Sequence, residues 1–121
     1  MTKEIYDSFC EDLQKRGYKK YPAPSRGDYA WFKGFGESDY EEDRRNYQIC
    51  FEVYDFRKYA DREPYFRTNP YGVEPMVLVS RTTNERMDLT LASASVMEVG
   101  VDGIEQLAES FFQWVEKEVE L

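Results

Sequence analysis

Apolar side chains recur at helical spacing at both ends of the chain and alternate at strand spacing between them. Ile5, Phe9 and Leu13 stand at i, i+4 and i+8, with Tyr6 and Cys10 widening the stripe, which predicts a helix over about 3–16. Thr2 has the hydroxyl to cap its first turn, and Gly17 has the backbone freedom to end it. Tyr18 to Arg26 contains Pro22 and Pro24, cannot be helical through them, and reads as an extended connector.

Strand spacing begins at Tyr29. Tyr29 to Phe35 forms the first expected strand, with Trp31 and Phe35 on the face of Tyr29 and Phe32 on the other. Tyr47 to Phe56 has the clearest alternation: Tyr47, Ile49, Phe51 and Val53 against Gln48, Cys50, Glu52 and Tyr54. A polar hairpin tip, Gly36 to Asn46, joins the two. The connection from Arg57 to Pro75 is long for a compact domain, with one helical turn expected over 57–62. Met76 to Thr82 is the third strand, Thr83-Asn84-Glu85 a tight turn, and Met87 to Ala92 the fourth strand. Asp102 and Glu105 have capping-box spacing ahead of a final helix. Its stripe is Ile104, Leu107, Ala108, Phe111, Trp114, Val115 and Val119, with Phe112 beside it on the solvent side.

The order α-β-β-β-β-α, with no helix between strands, predicts one α+β domain over 1–121. It is a four-stranded antiparallel meander flanked by N- and C-terminal helices, both on one face. The other face would carry Gln48, Glu52, Tyr54, Asp88 and Thr90, and antiparallel sheets tolerate one wet face.

Composition narrows the function more than the fold. An aromatic share of 17% argues against disorder, and the net charge of −8 repels polyanions, so direct nucleic-acid or anionic-membrane binding is not expected. Cys10 and Cys50 belong to no CxxC or Cys/His cluster and are read as small buried side chains. The opening MTKEIYDSF lacks a secretion-signal pattern and no apolar run approaches bilayer length, so the cytosol is the expected compartment.

The chain has no histidine, the commonest general acid/base and metal ligand near neutral pH. It also lacks a phosphate-binding glycine loop and an EF-hand pattern. An enzyme is therefore not expected, nor is a metal or cofactor. What stands out instead is acid and tyrosine. The hairpin tip carries Glu37, Asp39, Glu41 and Glu42 around Tyr40, and the last helix carries Glu109 and Glu116 among seven acids facing one base from Glu98 onward. Solvated charge is the commoner explanation of such runs, and the better reading of both. Nine of the ten tyrosines fall between Tyr18 and Tyr71. The long connection alone has Tyr59, Tyr65, Phe66 and Tyr71 interleaved with Arg57, Lys58, Arg62 and Arg67. Tyr and Arg are enriched where proteins bind each other, although the same rings could complete a core.

The expectation is a non-enzymatic interaction factor whose partner is a protein with a basic surface. Within that class it would be a small phage or mobile-element inhibitor that blocks a nucleic-acid-handling protein through acidic and tyrosine-rich surface. The partner-binding residues would be the hairpin-tip group, Tyr54, the ring-bearing connection with Arg67, and Glu109 and Glu116. The alternative is a small-molecule-binding domain or histidine-free enzyme, with a pocket between the sheet and the 57–75 connection lined by Glu52, Tyr54, Tyr65 and Arg67. A homo-oligomer through an exposed edge strand is compatible with either.

Overall fold

A computed structural model describes residues 1–22, 28–34, 45–81, 86–90 and 93–114. Helix α1 (Lys3–Lys15) starts where Thr2 Oγ1 accepts a hydrogen bond from Ile5 N at 3.3 Å. It ends in a Schellman motif: Tyr18 N–H donates to Leu13 O at 3.0 Å and Gly17 N–H to Gln14 O at 3.1 Å. Gly17, at φ 91°, supplies the left-handed turn. Leu13 and Tyr18 are both buried in the main core, so the motif also has its hydrophobic contact.

Five strands follow: β1 (Lys19–Pro22), β2 (Tyr29–Gly34), β3 (Arg45–Asp55), β4 (Tyr71–Arg81) and β5 (Arg86–Thr90). They form one antiparallel sheet whose order in space is their order in the chain. The α+β class, the antiparallel meander and the helix at each end are as the sequence predicts. The four expected strands are β2 to β5, and β1 adds a short edge strand within the stretch read as a connector. Pro22 ends it on an outer edge, where a missing N–H costs no ladder bond.

β4 begins at Tyr71, not Met76, and pairs with β3 without interruption from Tyr71↔Asp55 to Arg81↔Arg45. Pro75 lies within it, opposite Phe51, and among the described residues β4 pairs with β5 from Met76↔Thr90 to Ser80↔Arg86.

The last helix, α3 (Ser93–Trp114), begins well before the Asp102–Glu105 pair and is broken at Gly100 (φ 69°, ψ 179°). The break makes two helical pieces, so Asp102 falls in the first turn of the second, close to the start expected from its spacing with Glu105, and 93–99 is the piece the sequence does not predict. The buried line after the break is Val101, Ile104, Ala108 and Phe112, while Leu107 and Trp114 are each 49% exposed. Phe112, expected on the solvent side, is 5% exposed and rests its ring on Tyr47 with centroids 4.7 Å apart.

Both helices cover the same sheet face. Trp31, Tyr47, Ile49, Phe51, Val53, Val73 and Val77 from the strands meet Leu13 of α1 and Val96, Ile104 and Phe112 of α3 in one core. Across the front of this layer, Arg16 at the end of α1 donates to Asp102 at 2.5 Å, and Tyr18 Oη donates to Glu105 at 3.0 Å. Lys33 of β2 stands 3.9 Å from the same Glu105, so that flank of α3 faces β2, and the flank with Leu107 and Trp114 faces away from it. The opposite sheet face has a smaller buried group of Ala30, Cys50 and Met76, with Phe32 against it. Among the described residues no helix is long and apolar enough to cross a membrane.

Candidate functional site

Between β3 and β4 the chain leaves the sheet at Phe56 and returns at Pro70, and Phe56 N–H donates to Pro70 O at 2.8 Å across the neck. The excursion holds a 3₁₀ turn (Phe56–Tyr59) and a short helix α2 (Pro64–Thr68). Asp55 starts the turn: its carboxylate accepts from Arg57 N at 3.0 Å and also pairs with the Arg57 guanidinium at 2.6 Å. That pairing holds the Asp55 carboxyl below its ordinary value. Asp28 accepts from the Asp55 N–H and from Lys58 Nζ, the latter at 3.2 Å, tying the excursion to the start of β2. Pro64 fits the first turn of α2, where an N–H is not needed. Arg67 Nε donates to Ala60 O at 3.2 Å and folds the two helical pieces together.

Aromatic rings fix this excursion to the open face of the sheet. Tyr54 and Phe56 are stacked at 5.4 Å with planes 6° apart, and Phe56 and Phe66 at 4.6 Å and 16°. Gly72 makes the approach possible, because a Cβ there would meet the Phe56 ring, with Cζ only 3.1 Å away. Tyr65 packs edge-on against Phe66 at 5.7 Å and Tyr59 lies 6.3 Å from it. Those outer two rings remain displayed: Tyr65 is 65% exposed and Tyr59 39%.

The structure thus divides the residues that the sequence groups together. Tyr59, Tyr65 and Arg67 are exposed on one small raised surface, with Arg62 beside them. Phe66 and Tyr54 are half-buried and serve as its base. Tyr71 is elsewhere, buried on the helix-covered face with its ring 4.7 Å from Tyr6. Glu109 is exposed on α3, across the sheet from the excursion. Glu37, Asp39, Tyr40, Glu41, Glu42 and Glu116 lie outside the described residues.

Chemistry at the foot of the stack is carboxylate and phenol. Tyr54 Oη donates to Glu52 Oε2 at 2.6 Å, and Glu74 stands directly opposite Glu52 in the β3–β4 register. Burial, and then the hydrogen bond to Glu52, push the Tyr54 phenol well above its usual value, so it stays a neutral donor. Between the sheet and the excursion, the Phe56 ring lies on Gly72. Among the described residues no group of three or more acid or cysteine side chains is arranged to hold a metal ion.

Two contributors were not picked out from sequence. Phe56 falls at the end of an expected strand, and Gly72 within the expected connection. Their signal is a pair: a glycine sits where register brings it opposite an aromatic strand residue, Tyr54↔Gly72, leaving room for a neighbouring ring. No known family model matches the chain, and no curated protein or solved structure is significantly similar to it.

Proposed function

We propose that this protein is a non-enzymatic interaction factor that grips a protein partner with the raised surface of Tyr59, Tyr65, Arg62 and Arg67. The observation that carries the reading is the anchoring of Tyr65. Its ring is mostly in solvent, yet its base is stacked through Phe66 and Phe56 onto the sheet. A displayed ring on a fixed base loses little entropy on binding, which is the property of a hot-spot anchor.

Charge supports a basic partner. Within the excursion, Arg57 and Lys58 are already paired with Asp55 and Asp28. Asp61 and Glu63 lie exposed beside Arg62 and Arg67, so the contact surface itself is near-neutral, and the acid excess behind the net charge of −8 is carried by other surface, including exposed Glu4, Glu11, Glu98 and Glu109 on the helices. Rings supply affinity in this reading, while the overall negative field speeds encounter with a cationic surface such as that of a nucleic-acid-handling protein. Inhibition follows from covering that surface.

The test is affinity capture followed by kinetics on the captured partner. Tyr65→Ala with Tyr59→Ala is expected to raise the dissociation rate by roughly 100-fold, a hot-spot-sized loss. Glu109→Lys is expected to alter mainly the association rate and its salt dependence. A complex that survives the double tyrosine variant with unchanged dissociation refutes the assignment.

A further inference from the structure

A second concavity lies on the other side of the sheet, where α1 passes the β1–β2 edge. It is an open cleft of about 410 Å³ whose walls include Tyr6, Cys10, Glu11 and Gln14 of α1, with Lys20 of β1 and Trp31 of β2. This is within the size range of small-ligand sites.

We propose that this cleft binds a free α-amino acid, with its carboxylate held by Lys20 and the Trp31 indole N–H and its ammonium held by Glu11. Three observations converge on a zwitterion. First, Trp31 is buried, 6% exposed, and its Nε1 has no hydrogen-bond acceptor. A buried donor without a partner is costly, so an acceptor delivered by a ligand gains more here than at a solvated site. Second, Lys20 carries a full charge in the same wall but has no carboxylate partner among the described residues. Its Nζ lies over the Tyr29 ring at 3.9 Å and the Trp31 ring at 5.9 Å. Third, the α1 wall has two acids, of which Asp7 is taken by Lys3 at 3.0 Å while Glu11 has no cation partner among the described residues.

The cleft therefore presents a cation and a neutral donor on the strand side and a carboxylate on the helix side. An α-amino acid carries the complementary pair of charges on adjacent atoms. Cys10 and Tyr6 supply the less polar wall for its side chain, and burial keeps the Cys10 thiol protonated. Trp31 Nε1 is closed to solvent in this structure, so the atoms over it must move aside for the ligand's acceptor to reach it. This site is separate from the Tyr59–Tyr65 surface, so either proposal stands or falls alone.

Indole N–H resonances test it directly. The protein has two tryptophans, and Trp114→Phe leaves Trp31 as the sole indole signal. Each proteinogenic amino acid is titrated to about 10 mM, above the millimolar affinity expected of a weak open site. At least one is expected to move the Trp31 N–H downfield saturably, with Lys20→Met and Glu11→Gln each weakening binding about tenfold or more. Acetate and methylamine, each carrying half of the charge pair, are expected to bind at least tenfold more weakly. The proposal is overturned by three results: no saturable movement with any amino acid, wild-type affinity in either variant, or acetate alone matching the best amino acid. Tyr65→Ala is expected to leave the titration unchanged.

Discussion

Adding a single methyl group at Gly72 probes how the excursion is held to the sheet. Gly72→Ala introduces a Cβ against the Phe56 ring, whose Cζ lies 3.1 Å from that position. The ring cannot swing aside freely, because it is stacked with both Tyr54 and Phe66. Overpacking of this kind costs about 1–3 kcal/mol. Gly72 is not among the glycines with positive φ, so alanine also brings a backbone gain of roughly 0.5–1 kcal/mol over glycine in a strand. The net expectation is a loss of about 1–2 kcal/mol, read as a urea midpoint lowered by roughly 0.5–1 M. The decisive measurement is the same substitution in a Phe56→Ala background. With the ring gone, only the backbone gain remains, and Gly72→Ala should become stabilising by about 0.5 kcal/mol. Such a change of sign is a coupling between the two sites that additive effects do not produce. Equal destabilisation in both backgrounds, or no effect in the first, would refute the ring-contact argument.

Gly100→Ala meets no neighbouring atom but forces φ 69° with ψ 179° on an L-residue, so thermal melting should show a loss of about 1–3 kcal/mol. Phe112→Ala should cost about 3–5 kcal/mol by denaturant titration, whereas Trp114→Ala should cost about 1 kcal/mol or less, a difference that reports the phase of α3. At high pH, Tyr6, Tyr18 and Tyr54 have phenols raised above 10.0, chiefly by burial. The unfolded chain ionises these groups first, so stability should fall as pH rises beyond about 10, measured as a declining melting temperature. In acid, Asp55 and Asp102 are held below 3.8 by Arg57 and Arg16. Their contribution is present above that value and should disappear as pH falls through the lower folded values, measurable as a declining melting temperature.

The fold was legible where local pattern and tertiary environment agree. β3 alternates because one face meets both helices, and its bounds follow from its sequence. Thr2 and Gly17 bracket α1 because capping is local chemistry. Legibility failed where a distant contact decides. Ile5 belongs to the apolar stripe by spacing, yet it is 45% exposed because the helix turns Tyr6, Cys10 and Leu13 toward the sheet. The buried face of α3 was misjudged because Ile104 and Ala108 fit a stripe on either flank, and it is Phe112, not Phe111 or Trp114, that meets Tyr47 of the sheet. β1 has no alternation to detect and exists because Lys19 to Pro22 lie against β2. For the candidate surface, sequence supplied the right rings but not their division. Tyr71 is core and Tyr65 is display, and only the position of Gly72 beneath Phe56 separates the two.

Each strand of the meander hydrogen-bonds to the one made just before it, which has a kinetic consequence. A growing chain can zip the sheet from one hairpin to the next, closing short loops and seldom waiting for a remote segment. The exception is α1. Its Tyr6 and Phe9 have their ring partners once β3 and β4 exist, but its Arg16 meets Asp102 only after the whole sheet has passed between them in sequence, so the first helix made is tied down in two stages, by the sheet and then by α3.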